Sequence, residues 1–89
     1  MLTSVNKVVS EQVAATHVRF KGNILYISLS DGREMSLPIE QIEWLDWLAK
    51  ATPEQRAKWS LEPGGYAIYW EDLDDGLEVC HILTMEPLA

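Results

Sequence analysis

The sequence predicts an α+β fold: a small antiparallel sheet packed against one longer and one short helix. The sheet is made of a three-stranded N-terminal meander plus a C-terminal hairpin. Three observations predict it. Apolar, partly β-branched runs in the first half are separated by two turn signals, Lys21-Gly22-Asn23 and Asp31-Gly32. At Pro38 the apolar spacing changes from about 2 to about 3.6. Beyond Gly65 short apolar runs return on either side of "DLDDG".

Residues 1–12 show no clean period and read as an arm or edge strand; residues 13–85 form a single α+β domain, and residues 86–89 a tail. From Asn23 to Ser30 the pattern alternates, with Leu25, Ile27 and Leu29 on one face and Tyr26 and Ser28 on the other. Asp-Gly favours a tight hairpin, because both residues tolerate the positive φ of a type I′ turn. The meander is therefore expected at about Val13–Phe20, Ile24–Leu29 and Arg33–Leu37.

Proline suits the first turn of a helix, where its missing N–H costs nothing. A helix from Pro38 to Lys50 stacks Ile42, Leu45 and Ala49 on one face, with Leu48 and Trp44 beside them in the core. Glu40, Glu43, Asp46 and Lys50 gather on the opposite face, and Trp47 projects among them, either packed under the strand Tyr66–Trp70 or exposed as an interface anchor. Thr52-Pro53-Glu54-Gln55 has the pattern of a capping box, which starts a short second helix or turn over Pro53–Trp59. Glu62-Pro63-Gly64-Gly65 breaks it. Tyr66–Trp70 and Leu77–Leu83 then read as strands around the acidic turn.

One modest core must stabilise the chain, since 89 residues bury only about 60–65% of their unfolded surface. Four tryptophans help, each burying on the order of 150–250 Å². Seven basic residues against 14 acidic give a net charge of -7. That sign disfavours direct nucleic-acid or anionic-membrane binding and suits a basic protein partner. Cys80 is the only cysteine, which excludes an intramolecular disulfide. No apolar run approaches the roughly 18 residues of a membrane span, and the expected location is cytoplasmic.

The acidic run Glu71, Asp72, Asp74, Asp75 raises the question of a metal site. A calcium loop with Gly76 as its central glycine would place Leu73 and Ile82 at ligand positions, and neither offers an oxygen. An acid/base pair would need one carboxyl in an apolar pocket, whereas consecutive acids before glycine mark a hydrated turn. Cys80 and His81 are neighbours on an expected strand, so they face opposite sides and cannot share a substrate. No phosphate-binding glycine loop or nucleophile elbow occurs.

The stretches "LSDGREMSLP" and "ATPEQRAKWSLEPGGYAIYWEDLDDGLEVCHILT" resemble the domain of unknown function 2442 family of small bacterial proteins. The likeness rests on Asp31-Gly32-Arg33 leading into a proline and on the segment from Ala51 to Trp59. It continues through Gly65, Ile68-Tyr69-Trp70 and Asp72 to Asp75, and covers roughly Val13 to Leu83. Asp46-Trp47-Leu48 departs from the Pro-Arg-Leu common in that family. The resemblance implies a compact sheet with helices on one side and brings no catalytic residues. Some relatives accompany helix-turn-helix segments or proteins proposed as toxin–antitoxin partners.

The expected function is thus a small acidic protein-binding or accessory domain, in the manner of an antitoxin that partners a basic protein. It is expected to be no enzyme, to hold no cofactor or metal, and to form a homodimer. Trp47, Tyr69, Glu71, Asp72, Asp74 and Asp75 are the candidate partner-binding residues. One alternative is a small-ligand or metal-binding domain or enzyme using the turn Glu71–Asp75. Another is a regulatory module linked to a DNA-binding partner.

Overall fold

The computed structural model describes residues 13–84; the expected arm at 1–12, the tail at 86–89 and the last residue of the 13–85 domain lie outside them. Strands β1 (Ala15–Lys21), β2 (Ile24–Leu29) and β3 (Glu34–Pro38) form an antiparallel meander in the order β1-β2-β3. On β2 the alternation holds: Leu25, Ile27 and Leu29 are buried and the residues between them half-buried. Gly22, with φ of +59°, takes the first position of the two-residue turn between Lys21 and Ile24, as a type II′ turn requires.

The second turn differs from expectation. Gly32 has φ of +93° while Asp31 stays outside the positive region, so the loop is not type I′. The Gly32 amide donates to the Leu29 carbonyl and the Leu29 amide to the Arg33 carbonyl. This is a three-residue loop closed by glycine. Asp31 Oδ1 accepts from the Arg33 amide at 3.0 Å and Oδ2 from Arg33 Nε at 2.7 Å. The amide bond, with the guanidinium behind it, holds the Asp31 carboxyl below its ordinary pKa.

The long helix from Pro38 to Lys50 does not form. Pro38 instead closes β3, opposite Ile24, on a sheet edge where a missing N–H goes unnoticed. The Ile39 amide extends that pairing to the Asn23 carbonyl. The chain becomes helical only with a 3₁₀ turn, Glu43–Leu45, and helix α1, Asp46–Ala49. It cannot continue, because Pro53 holds Thr52 extended at ψ of 161°. Leu45 and Leu48 are fully buried.

Helix α2 (Pro53–Arg56) carries the expected capping box: Thr52 Oγ1 accepts from the Gln55 amide, and the Thr52 amide donates to Gln55 Oε1. Trp59 is not part of it. Strand β4 (Trp59–Leu61) was not legible in so short a run, and it pairs with β5 (Ala67–Trp70), which pairs with β6 (Asp75–Glu78). The C-terminal hairpin thereby becomes a second three-stranded sheet. The expected strand Leu77–Leu83 is a strand only to Glu78; Val79–Thr84 is helix α3. Val79 and Ile82, three apart, are its buried residues, a helical spacing that the β-branched content of "VCHIL" obscured.

One apolar core joins the two sheets. Ile68, Trp70 and Leu77 of the second sheet are buried in one cluster with Val18, Leu25 and Ile27 of the first. Every fully buried side chain among the described residues is apolar. Gly65 fixes the approach of the second half to β1. Its φ is +75°, and a Cβ there would lie 2.5 Å from the Ala15 carbonyl oxygen.

Candidate functional site

Strand β5 sends Trp70 inward and Tyr69 outward, since neighbours on a strand face opposite sides. Trp70 is fully buried and Tyr69 half-buried. A 3₁₀ turn, Glu71–Leu73, then leads to Asp74 in the left-handed region at φ of 51°, a conformation that aspartate tolerates. That twist brings Asp74 back beneath Tyr69, whose hydroxyl donates to Asp74 Oδ1 at 2.8 Å. The bond to Asp74, with the charges of Glu71 and Glu62 nearby, pushes the Tyr69 phenol above its ordinary pKa of 10.

Glu71, Asp72, Asp74 and Asp75 are all exposed. Asp72 meets Lys58 Nζ at 3.3 Å, and Asp75 Oδ1 accepts from the Gly76 amide. The turn is thus an exposed acidic ledge beside a phenol ring. Among the described residues no three His, Cys, Asp or Glu side chains converge to hold a metal ion.

Of the two tryptophans on this stretch, Trp44 leaves its expected place in the core, while Trp47 takes the packed one of its two expected positions, against the strand that carries Trp70. Trp44 is 40% exposed, with its indole edge-on to His81 at 4.9 Å. The short helix explains this: from Glu43 to Ala49 only Leu45 and Leu48 are fully buried, and Trp44 stands beside Leu45 on the 3₁₀ turn. Trp47 is half-buried against the core, edge-on to Trp70 with 5.8 Å between centroids. It therefore stands apart from the acidic ledge that Tyr69 shares with Glu71, Asp72, Asp74 and Asp75. Cys80 and His81 are both exposed, but they sit on a helix rather than on a strand.

A second feature escaped the sequence reading. Between the β1–β2 hairpin and α2 lies a cleft of about 610 Å³, walled in part by Arg19, Phe20, Asn23, Arg56, Ala57 and Trp59. The Arg56 guanidinium lines it and ties the end of α1 to the β1–β2 turn. Nε donates to the Leu48 carbonyl, Nη2 to the Ala49 carbonyl at 2.8 Å and to Asn23 Oδ1, and Nη1 to the Gly22 carbonyl. Its main-chain carbonyl accepts from Trp70 Nε1 at 2.9 Å. The available signal was the segment from Ala51 to Trp59, whose arginine and tryptophan both line this cleft.

The family model for a protein of unknown function (DUF2442) matches residues 15–84, and the chain belongs to that family. A crystal structure of a protein of unknown function from Rhodospirillum rubrum ATCC 11170 has the same fold. It superposes with a TM-score of 0.68 at 20% identity, covering 82% of this chain and 87% of the other. Among curated proteins, none matches significantly. No helix among the described residues is long and apolar enough to cross a membrane.

Proposed function

We propose that this protein is a cytoplasmic accessory domain that binds a basic protein through the acidic ledge, as an antitoxin covers its partner. The observation that carries the reading is the arrangement around Tyr69. Four exposed carboxylates follow the half-buried Tyr69 within six positions, on a turn braced by the Tyr69–Asp74 bond. An amphipathic ring rimmed by one sign of charge is the composition of an interface anchor. Like charges held close also raise the local potential and steer a cation-rich surface inward. Homodimerisation belongs to the same proposal, since among the described residues β3 and β6 each leave one sheet edge unpaired; light scattering should give twice the chain mass.

The test is capture from cytoplasmic extract with the wild-type chain and a Glu71→Gln, Asp72→Asn, Asp75→Asn triple variant. A basic protein should be retained by the wild type, lost with the variant, and released as salt approaches about 1 M, where the Debye length is near 3 Å. A partner held equally by both chains, or indifferent to salt, refutes the reading.

A further inference from the structure

We infer that the cleft between the β1–β2 hairpin and α2 is a binding site for a small planar carboxylate, an aryl monoanion. The inference is independent of the acidic ledge, and it starts from an imbalance of charge. Arg19 pairs with Glu34 and Arg33 with Asp31. Among the described residues Arg56 alone of the arginines has no carboxylate partner, despite 14 acidic residues in the chain. Its partners are four neutral carbonyl oxygens, those of Leu48, Ala49, Gly22 and Asn23. They fix the guanidinium without neutralising it. Those bonds occupy Nε, Nη2 and one hydrogen of Nη1, leaving the second Nη1 hydrogen to donate.

A rigid, uncompensated, half-buried cation is preorganised for an anion, because no ordering cost remains at that group. The rest of the cleft sets the class of anion. Phe20 and Trp59 are half-buried and give the wall apolar area. They are held from behind, Phe20 edge-on to Trp70 and Trp59 edge-on to His17. A planar apolar body fits such walls. The volume, about 610 Å³, lies within the range of small-molecule sites. Charge limits the head group to a monoanion: Arg19 also lines the cleft, yet it brings Glu34 with it at 3.3 Å, and that carboxylate repels a second negative charge.

Titration of the ¹⁵N-labelled wild-type chain with indole-3-carboxylate, followed by amide NMR, tests this directly. The amides of Gly22, Asn23 and Ala57 should shift saturably, with a Kd on the order of 1 mM or tighter. The neutral indole-3-carboxamide should bind at least about tenfold more weakly, and the phenyl phosphate dianion no better than the carboxylate. Ala57 is exposed and makes no side-chain hydrogen bond, so Ala57→Glu keeps the fold while placing a negative charge in the cleft. It should weaken the carboxylate by at least about tenfold and leave distant amides in place. Absent shifts, shifts at Tyr69 instead, equal binding of the carboxamide, or tighter binding of phenyl phosphate would each overturn the assignment.

Discussion

At the scale of single residues, Tyr69 and Asp74 form the pair whose behaviour follows most directly from geometry. The phenol donates to a carboxylate, so ionising it breaks a bond and places two negative charges side by side. Its pKa therefore stands above 10 in the folded chain and near 10 in the unfolded one. The unfolded state then releases the proton first. The stability contributed by the pair is complete below about pH 10 and drains as pH rises through the folded value. Ultraviolet titration of the phenolate should show one tyrosine ionising late. In Asp74→Asn, which keeps the left-handed backbone, that tyrosine should move back toward 10, and the alkaline loss of stability should shrink. An unchanged titration would mean that the bond does not persist in solution.

At the scale of elements, glycines with positive φ separate turn strain from packing. Gly32 and Gly65 both carry it, at +93° and +75°. A Cβ on Gly32 meets nothing within 4 Å, whereas one on Gly65 lies 2.5 Å from the Ala15 carbonyl oxygen. Gly32→Ala should therefore cost only the backbone term, about 1–2 kcal/mol. Gly65→Ala should cost that and the displacement of β1, at least about 3 kcal/mol together. Urea unfolding followed by tryptophan fluorescence reads the difference, and equal costs would contradict the contact between Gly65 and β1. The same contrast explains what was legible. Strand β2 and the capping box at Thr52 are specified by neighbours in sequence, and both formed where expected. Pro38, Trp44 and the run from Val79 to Leu83 were misread because each depends on distant partners. Pro38 is compatible with a helix start and with a strand edge, and only the pairing with Ile24 decides between them. "WSL" has too few residues to show a period, so β4 exists because β5 offers it an edge. The exposure of the acidic turn was legible from its own residues; the cleft was not, because Arg19 and Arg56 come to line it together only through the tertiary fold.

At the scale of the whole molecule, stability and surface charge are divided between different faces. Neither three-stranded sheet buries much alone, and small sheets depend on what packs against them. Trp70 ties the two halves together: it meets Phe20 and Trp47 edge-on and donates to the Arg56 carbonyl. Arg56 in turn bonds the end of α1 and the β1–β2 turn. The acidic ledge lies outside this bracket. Among the described residues Glu71 forms no salt bridge, and the Asp75 side chain bonds only the next amide in the chain. With a net charge of -7, crowding these groups adds self-repulsion that the folded state must bear. Residues that cost stability and anchor nothing are the ones expected to serve binding. Glu71→Gln should accordingly leave the melting temperature unchanged or raise it, and added salt should raise the wild type more than the variant. The same substitution should weaken retention of the basic partner. A variant that melts earlier would assign Glu71 to the architecture of the turn, and the ledge would then lose its claim as a surface held for recognition.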